Sequence, residues 1–334
     1  MITRVPGFSV GHASDFKGVT GVTVVLCPPG TVGSADIRGS AAGTRQMEAL
    51  LGYHIVNEVH AVCLAGGSAF GLDAAGGVME FLEERGRGFD VTITRVPIVP
   101  TVVIYDLSVG NCRARPDKAM GYAACQAARP EPQGDGSLGA GTGATIGKLL
   151  GVQQATKGGL GTSFLAGPEG LQVGALAVVN ALGDVVDPAT GAILAGTRTA
   201  PESLEFADAV KLLRQGVVRR RFGEASPPQN TTIGVVATNA RLTREEAQKV
   251  AQMGHNALAR LIRPVHTMFD GDTVFVLAHP EVAADLHIIG ILAEAALERA
   301  ILSAVQSSHG LGVLPSYADL QEGGKVKREK RKKG

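Results

Sequence analysis

The sequence predicts an α/β fold in which helices cover β-sheets. Two observations predict it. Strand-like and helix-like patterns mix throughout the chain up to its basic tail. Several strand candidates are apolar on both faces, as strands buried beneath helices are. No internal repeat interrupts the pattern. Two architectures fit this alternation: one doubly wound sheet, or stacked sheets between helix layers.

In chain order, Val22-Thr23-Val24-Val25-Leu26 and Ala61-Val62-Cys63-Leu64 are apolar runs bounded by Pro and Gly, which marks core strands. Gly66 to Gly71 follows the second, and a helix then runs to about Arg85. Val102 to Tyr105 is a further short strand. A helix from Pro116 to Ala128 has proline at its start. Residues 134–163 are dense in glycine, and Gln172 to Asn180 is a strongly apolar strand. Pro201 to Arg221 reads as a helix whose basic end suits its dipole.

Phe222 to Asn230, with Gly223, Pro227 and Pro228, is the best linker candidate. A strand from Thr231 to Asn239 follows directly. Thr243-Arg244-Glu245-Glu246 is a capping-box pattern. It opens a helix with Ala247, Val250, Ala251, Ala257, Leu258, Leu261 and Ile262 at helical spacing. Asp270-Gly271-Asp272 leads into a strand from Thr273 to Leu277, and a long helix begins near Pro280. The apolar stretch Val282 to Val305 is broken by Asp285, His287, Glu294, Glu298 and Arg299, so it reads as a buried helix and not a membrane span.

Composition narrows the function. At 45% hydrophobic and 19% charged, the chain can bury a large core. With 45 glycines and no Trp, it favours close backbone packing over an aromatic-rich binding surface. Net charge is +1, but Lys325 to Gly334 carry +6, leaving −5 for the rest. That basic tail is expected to be disordered and solvated. It lacks the aromatics or amphipathic pattern of a nucleic-acid or membrane contact, so neither partner is expected. Cys27, Cys63, Cys112 and Cys125 stand far apart with no C-x-x-C, which points to buried thiols in a reducing compartment. Met1 to Gly7 has no apolar core of signal-peptide length, and a cytoplasmic protein is expected.

Cofactor motifs fail. Gly66 to Gly71 misses the G-x-G-x-x-G spacing, and Gly141 to Lys148 misses the phosphate-loop spacing, with Leu149 where Ser/Thr is required. The eight histidines are scattered and no H-E-x-x-H occurs. Neither a cofactor nor a metal is expected. Asp270-Gly271-Asp272 reads as a turn, a metal fragment or a catalytic acid pair.

The most informative step is Asn230-Thr231. A Pro-rich loop meets a strand at a hydroxyl residue. Its bland readings are a turn before a strand, or a glycosylation acceptor that would require secretion. The sharper reading is a latent nucleophile. If the Asn230–Thr231 bond is cut, Thr231 becomes N-terminal and carries its own base. An α-amine ionises at roughly 7.7–8.0, against roughly 10.4 for a lysine, so it accepts a proton at neutral pH.

Asn230-Thr231-Thr232-Ile233, then Pro264-Val265-His266-Thr267, then Asp270-Gly271-Asp272-Thr273, resembles the self-processing L-aminopeptidase/D-esterase family, which includes β-peptidyl aminopeptidases. The 6-aminohexanoate-oligomer (nylon-oligomer) hydrolase branch is the most similar, through Ala61 to Gly67, Val103-Ile104-Tyr105-Asp106, Pro116 to Ala119 and Pro132-Gln133-Gly134. The resemblance implies a four-layer α/β/β/α sandwich like that of N-terminal-nucleophile hydrolases. It implies one hydrolase domain over residues 1–324 that cuts itself into 1–230 and 231–334, with the fragments remaining associated. A homo-oligomer, by family a tetramer, is implied too.

Carried over, Thr231 matches the nucleophile, as threonine where the aminopeptidase branch has serine. Lys148, Asn180 and Tyr105 match the family's lysine, asparagine and tyrosine. Asp270 and Asp272 match the acid pair of the nylon-oligomer branch. The chemistry is coherent: Asn180 offers an N–H donor to an oxyanion, Lys148 adds positive charge, and the two acids can hold an ammonium. The implied substrate is a small linear amide or peptide. Aminopeptidase action, acyl transfer, or a non-catalytic interaction role are the competing readings.

Overall fold

The computed structural model describes residues 1–50, 52–217 and 230–322. Ten strands and five helices carry the fold. The strands are β1 (Ser9–Asp15), β2 (Thr20–Leu26), β3 (Val32–Ile37), β4 (Gly43–Arg45), β5 (Ala61–Ala65), β6 (Thr101–Val103), β7 (Gly159–Ala166), β8 (Gln172–Asn180), β9 (Thr231–Ala240) and β10 (Thr273–Val282). The helices are α1 (Ala74–Glu83), α2 (Lys118–Gln126), α3 (Ala209–Arg214), α4 (Arg244–Leu261) and α5 (Leu286–Gln306).

The strands form two five-stranded sheets, ordered β1-β2-β5-β6-β4 and β7-β8-β9-β10-β3. Pairing is antiparallel except for β5 with β6 and β9 with β10. Side chains alternate between faces along each strand. On β9, Ile233, Val235 and Ala237 point into a core shared with Val62 and Leu64 of the first sheet. Val236 and Ala240 point the other way, into a core with Leu258, Leu297 and Ala300 of α4 and α5. Cys63 and Ala65 of β5 meet Val78 of α1 and Ala124 of α2 on the far face. The result is an α/β/β/α sandwich: α1 and α2 cover one sheet, and α4 and α5 the other.

Glycine sets how closely these layers approach. A Cβ on Gly161 of β7 would stand 2.2 Å from the main-chain oxygen of Ala300 in α5. Gly11 of β1 meets Ala124 of α2 in the same way. The glycine-dense stretch therefore runs into a strand pressed directly onto a helix backbone.

Several expected elements differ. The helix expected from Pro201 is only Ala209–Arg214 within the described residues, because residues 201–203 wrap the buried Arg198, whose guanidinium takes the carbonyls of Pro201 and Ser203. Asp208 then caps the short helix. Pro116 precedes α2 instead of starting it, since Asp117 is the cap and accepts from Met120 N–H. The strand after Asp272 runs on through Pro280. That proline falls past the last pair with β3, Ala278 with Val32, and within the register break of β10 against β9 between Ala278 and Val282, where a missing N–H is tolerated. Asp285 caps α5 a few residues later. Cys112 is exposed, although the other three cysteines are buried. Residues 222–229 of the linker candidate and the basic tail from Lys325 lie outside the described residues.

Candidate active site

Thr231 opens β9 in the middle of its sheet. It stands in register with Asn180, the last residue of β8. On the other side, Asn230 bridges to Asp270 in the loop before β10. The Asn230–Thr231 bond is thus clamped between a strand end and the acid loop. Thr231 is 2% exposed.

Among the described residues, two groups donate hydrogen bonds to the carbonyl oxygen of Asn230. The Gly271 main-chain N–H donates at 2.7 Å, and the Thr231 hydroxyl at 2.6 Å. Asn230 N–H donates to Phe269 O at 2.9 Å. The acid loop is clasped from behind by residues 38–41: Arg38 N–H donates to Asp272 O, and Ala41 N–H to Asp270 O. Gly39 permits this, since a Cβ there would lie 2.1 Å from Asp270 O.

Lys148 is brought to Asn180 by a short ladder. Gly147 N–H and Lys148 N–H donate to the carbonyls of Ala181 and Leu182. The ammonium is buried, at 1% exposure. It lies 2.8 Å from Asn180 Oδ1, 3.0 Å from Asn180 O, 2.7 Å from Thr145 O and 3.0 Å from Thr145 Oγ1. Thr145 N–H also donates to Asn180 Oδ1. With Oδ1 taken by donors, the amide N–H₂ faces away and one hydrogen goes to Tyr105 O at 3.2 Å. Tyr105 therefore reaches the site through its main-chain carbonyl.

Both acids are buried and tied down. Asp272 Oδ1 accepts from Thr232 N–H at 2.7 Å, and Oδ2 from His266 N–H at 3.1 Å and from its ring Nδ1 at 2.8 Å. Asp270 accepts from Leu182 N–H, Thr267 N–H and the Thr267 hydroxyl. Burial first, and the charge of Asp272 second, push the Asp270 carboxyl up to about 6.

The structure thus brings Asn230, Thr231, Asn180, Lys148, Asp270 and Asp272 into one contiguous cluster. Three groups carry no assigned role from the sequence. Gly271 acts by its main chain and leaves no side-chain signal. His266 was one of eight scattered histidines. Lys157 and Asp106 form a buried support beneath the glycine-rich loop: the Lys157 ammonium takes the carbonyls of Gly141, Ala144 and Gly158, while Asp106 takes Gly67 N–H and the Thr20 hydroxyl. Burial lowers Lys157 to about 7 and raises Asp106 to about 6. Among the described residues no group of three or more His, Cys, Asp or Glu is placed to hold a metal ion. No helix among them is long and apolar enough to cross a membrane.

The profile of peptidase family S58 matches residues 1–313. The chain belongs to peptidase family S58. An uncharacterized aminopeptidase of Mycobacterium bovis is 41% identical over 345 residues, covering 96% of this chain and 98% of the relative. The 6-aminohexanoate-oligomer endohydrolase of Paenarthrobacter ureafaciens is 35% identical, covering 83% and 74%. Among solved structures, a Burkholderia β-aminopeptidase superposes with TM-score 0.69 at 19% identity, covering 96% and 92%. The L-aminopeptidase D-Ala-esterase/amidase of Ochrobactrum anthropi, a variant of the N-terminal-nucleophile hydrolase fold, superposes with TM-score 0.67 at 16% identity, covering 98% and 93%. As an S58 member, the protein is a hydrolase acting on amide bonds.

Proposed function

We propose that this S58 hydrolase cuts its own Asn230–Thr231 bond and then uses the N-terminal Thr231 to hydrolyse linear amides with small or ω-amino acyl units. The observation that carries the proposal is the doubly bonded Asn230 carbonyl. The Thr231 hydroxyl lies against it, and Gly271 N–H polarises it. In the first step Thr231 Oγ bonds to the Asn230 carbonyl carbon, the C–N bond breaks, and the hydroxyl proton ends on the released amine. The Gly271 N–H accompanies the oxygen as charge develops on it. Water then hydrolyses the ester, leaving an Asn230 carboxylate and a free Thr231.

In turnover the α-amine takes the hydroxyl proton, and the substrate's acyl carbon is attacked instead. Asn180 supplies an N–H to the oxyanion. Lys148 holds Asn180 in place and adds positive charge. Asp272 lies one residue from the new amine and holds its ammonium form, with Asp270 as the second acid. The fragments 1–230 and 231–334 stay together because β9 and β10 of the second are flanked by β8 and β3 of the first. Assembly into a homo-oligomer and action in the cytoplasm complete the proposal.

A second reading is exo-action from a free amino end, favoured by the aminopeptidase names of the relatives at 41% identity. An oligomer of ω-amino acids blocked at its amino end separates the two. Internal cuts in the blocked oligomer support the first reading, and cleavage only after deblocking supports the second.

A further inference from the structure

His266 has no part in the chemistry above, yet it touches the acid that adjoins the nucleophile. Its ring Nδ1 lies 2.8 Å from Asp272 Oδ2, an oxygen that already accepts the His266 main-chain N–H. Toward a carboxylate acceptor, Nδ1 carries the proton. The ring is held from behind by His255 of α4, at 4.8 Å between centroids and 75° between planes. His266 keeps this place at φ +55°, a left-handed backbone that residues other than glycine rarely adopt.

The acid pair has a choice of where to hold its charge, because two buried carboxylates two residues apart disfavour each other's ionisation. Their donors are nearly balanced. Asp272 takes three N–H groups, from Thr232 N, His266 N and His266 Nδ1. Asp270 takes two N–H groups and the Thr267 hydroxyl. Without the imidazole, the count would favour Asp270.

We propose that His266 is a positioning residue whose imidazole fixes the charge of the acid pair on Asp272, beside the nucleophile's nitrogen. Charge on Asp272 stands one residue from Thr231 N, through the Thr232 N–H bond. Charge on Asp270 would instead face Thr267 and Leu182. The titratable and charged groups around the ring are Asp272 and Asp270 on its own loop, His255 from α4, and Asp36 with Arg38 behind His255. His255 is lowered to about 4 by burial, so it stays neutral through the range in which Asp270 titrates. This role deepens the proposed chemistry and rests on Thr231 as nucleophile.

The test titrates the acids in a Thr231→Ala chain, which cannot cut itself, by ¹³C NMR of labelled Asp carboxyls assigned with Asp270→Asn and Asp272→Asn. His266→Asn and His266→Gly are compared there. Both accept a positive φ, but only asparagine keeps a side-chain N–H near the place of Nδ1. In the parent and in His266→Asn, the first proton is expected on Asp270 near pH 6. In His266→Gly the Asp270 midpoint should fall by about one pH unit as the pair's charge is no longer held at Asp272, the size of one lost charge-assisted hydrogen bond. An unchanged Asp270 titration in His266→Gly, or the same change in both variants, overturns the proposal. A chain with Thr231 intact that fails to cut refutes the nucleophile assignment, whereas the titration still decides the role of His266.

Discussion

The Gly271 N–H reaches the Asn230 carbonyl oxygen at 2.7 Å, on the same atom that the Thr231 hydroxyl reaches at 2.6 Å. By proposal this one hydroxyl serves both self-cleavage and turnover. Thr231→Ala should abolish both, with turnover down at least about 10⁴-fold, as when a serine-hydrolase nucleophile is removed. Thr231→Ser should retain part of each. Gel analysis and amide turnover check this, and residual hydrolysis by the alanine variant would place the nucleophile elsewhere.

In the proposed mechanism Lys148 and Asp272 act on the Thr231 α-amine with opposite signs. A like charge lowers the amine's pKa and an opposite charge raises it. Turnover should rise with pH through one ionisation near neutrality. Lys148→Met should move that ionisation upward, and Asp272→Asn should move it downward. Lys148→Met should also cost roughly 10²-fold in turnover, because Asn180 loses the cation that orients it. The pH–rate profiles of the matured variants decide this, and unshifted profiles in both would rule out the electrostatic roles.

Asp106 links pH to stability. Folded, it keeps its proton up to about pH 6, against an ordinary value of 3.8. Between those values the folded state holds a proton that the unfolded chain has released. Wild-type stability therefore gains from Asp106 as pH falls through the window, and loses as pH rises, by up to ~1.4 kcal/mol per pH unit. Asp106→Asn lacks that slope. Urea unfolding of both chains between pH 4 and 7 should show their difference changing below about pH 6 and flat above it.

Gly161→Ala tests the packing of α5 on β7. The new Cβ would fall 2.2 Å from Ala300 O, which is backbone and cannot swing aside. A destabilisation of about 1–3 kcal/mol is expected. An unchanged melting temperature would show that the helix shifts freely.

Much of the fold was legible because it is written locally. β8 and β9 are long apolar runs, and Thr243 with Glu246 forms the capping box their spacing announces. β7 was hidden because its glycines answer to α5, more than a hundred residues away. β3 was hidden because a six-residue edge strand, paired to β10 and otherwise only bridged at Val32 to Glu58, leaves a weak pattern. At the site, the strand start at Thr231 and the acid pair could be read from neighbours in the chain. The Gly271 N–H, the Tyr105 carbonyl and the His266 ring could not. They contribute through main-chain atoms or through contacts that only the folded loops create.

The most direct measurement is the intact mass of the purified chain. Self-cleavage predicts two masses, those of 1–230 and 231–334, that co-elute under native conditions, with the smaller fragment beginning at Thr231. A single species at 34.4 kDa after prolonged incubation would contradict the N-terminal-threonine mechanism at its root.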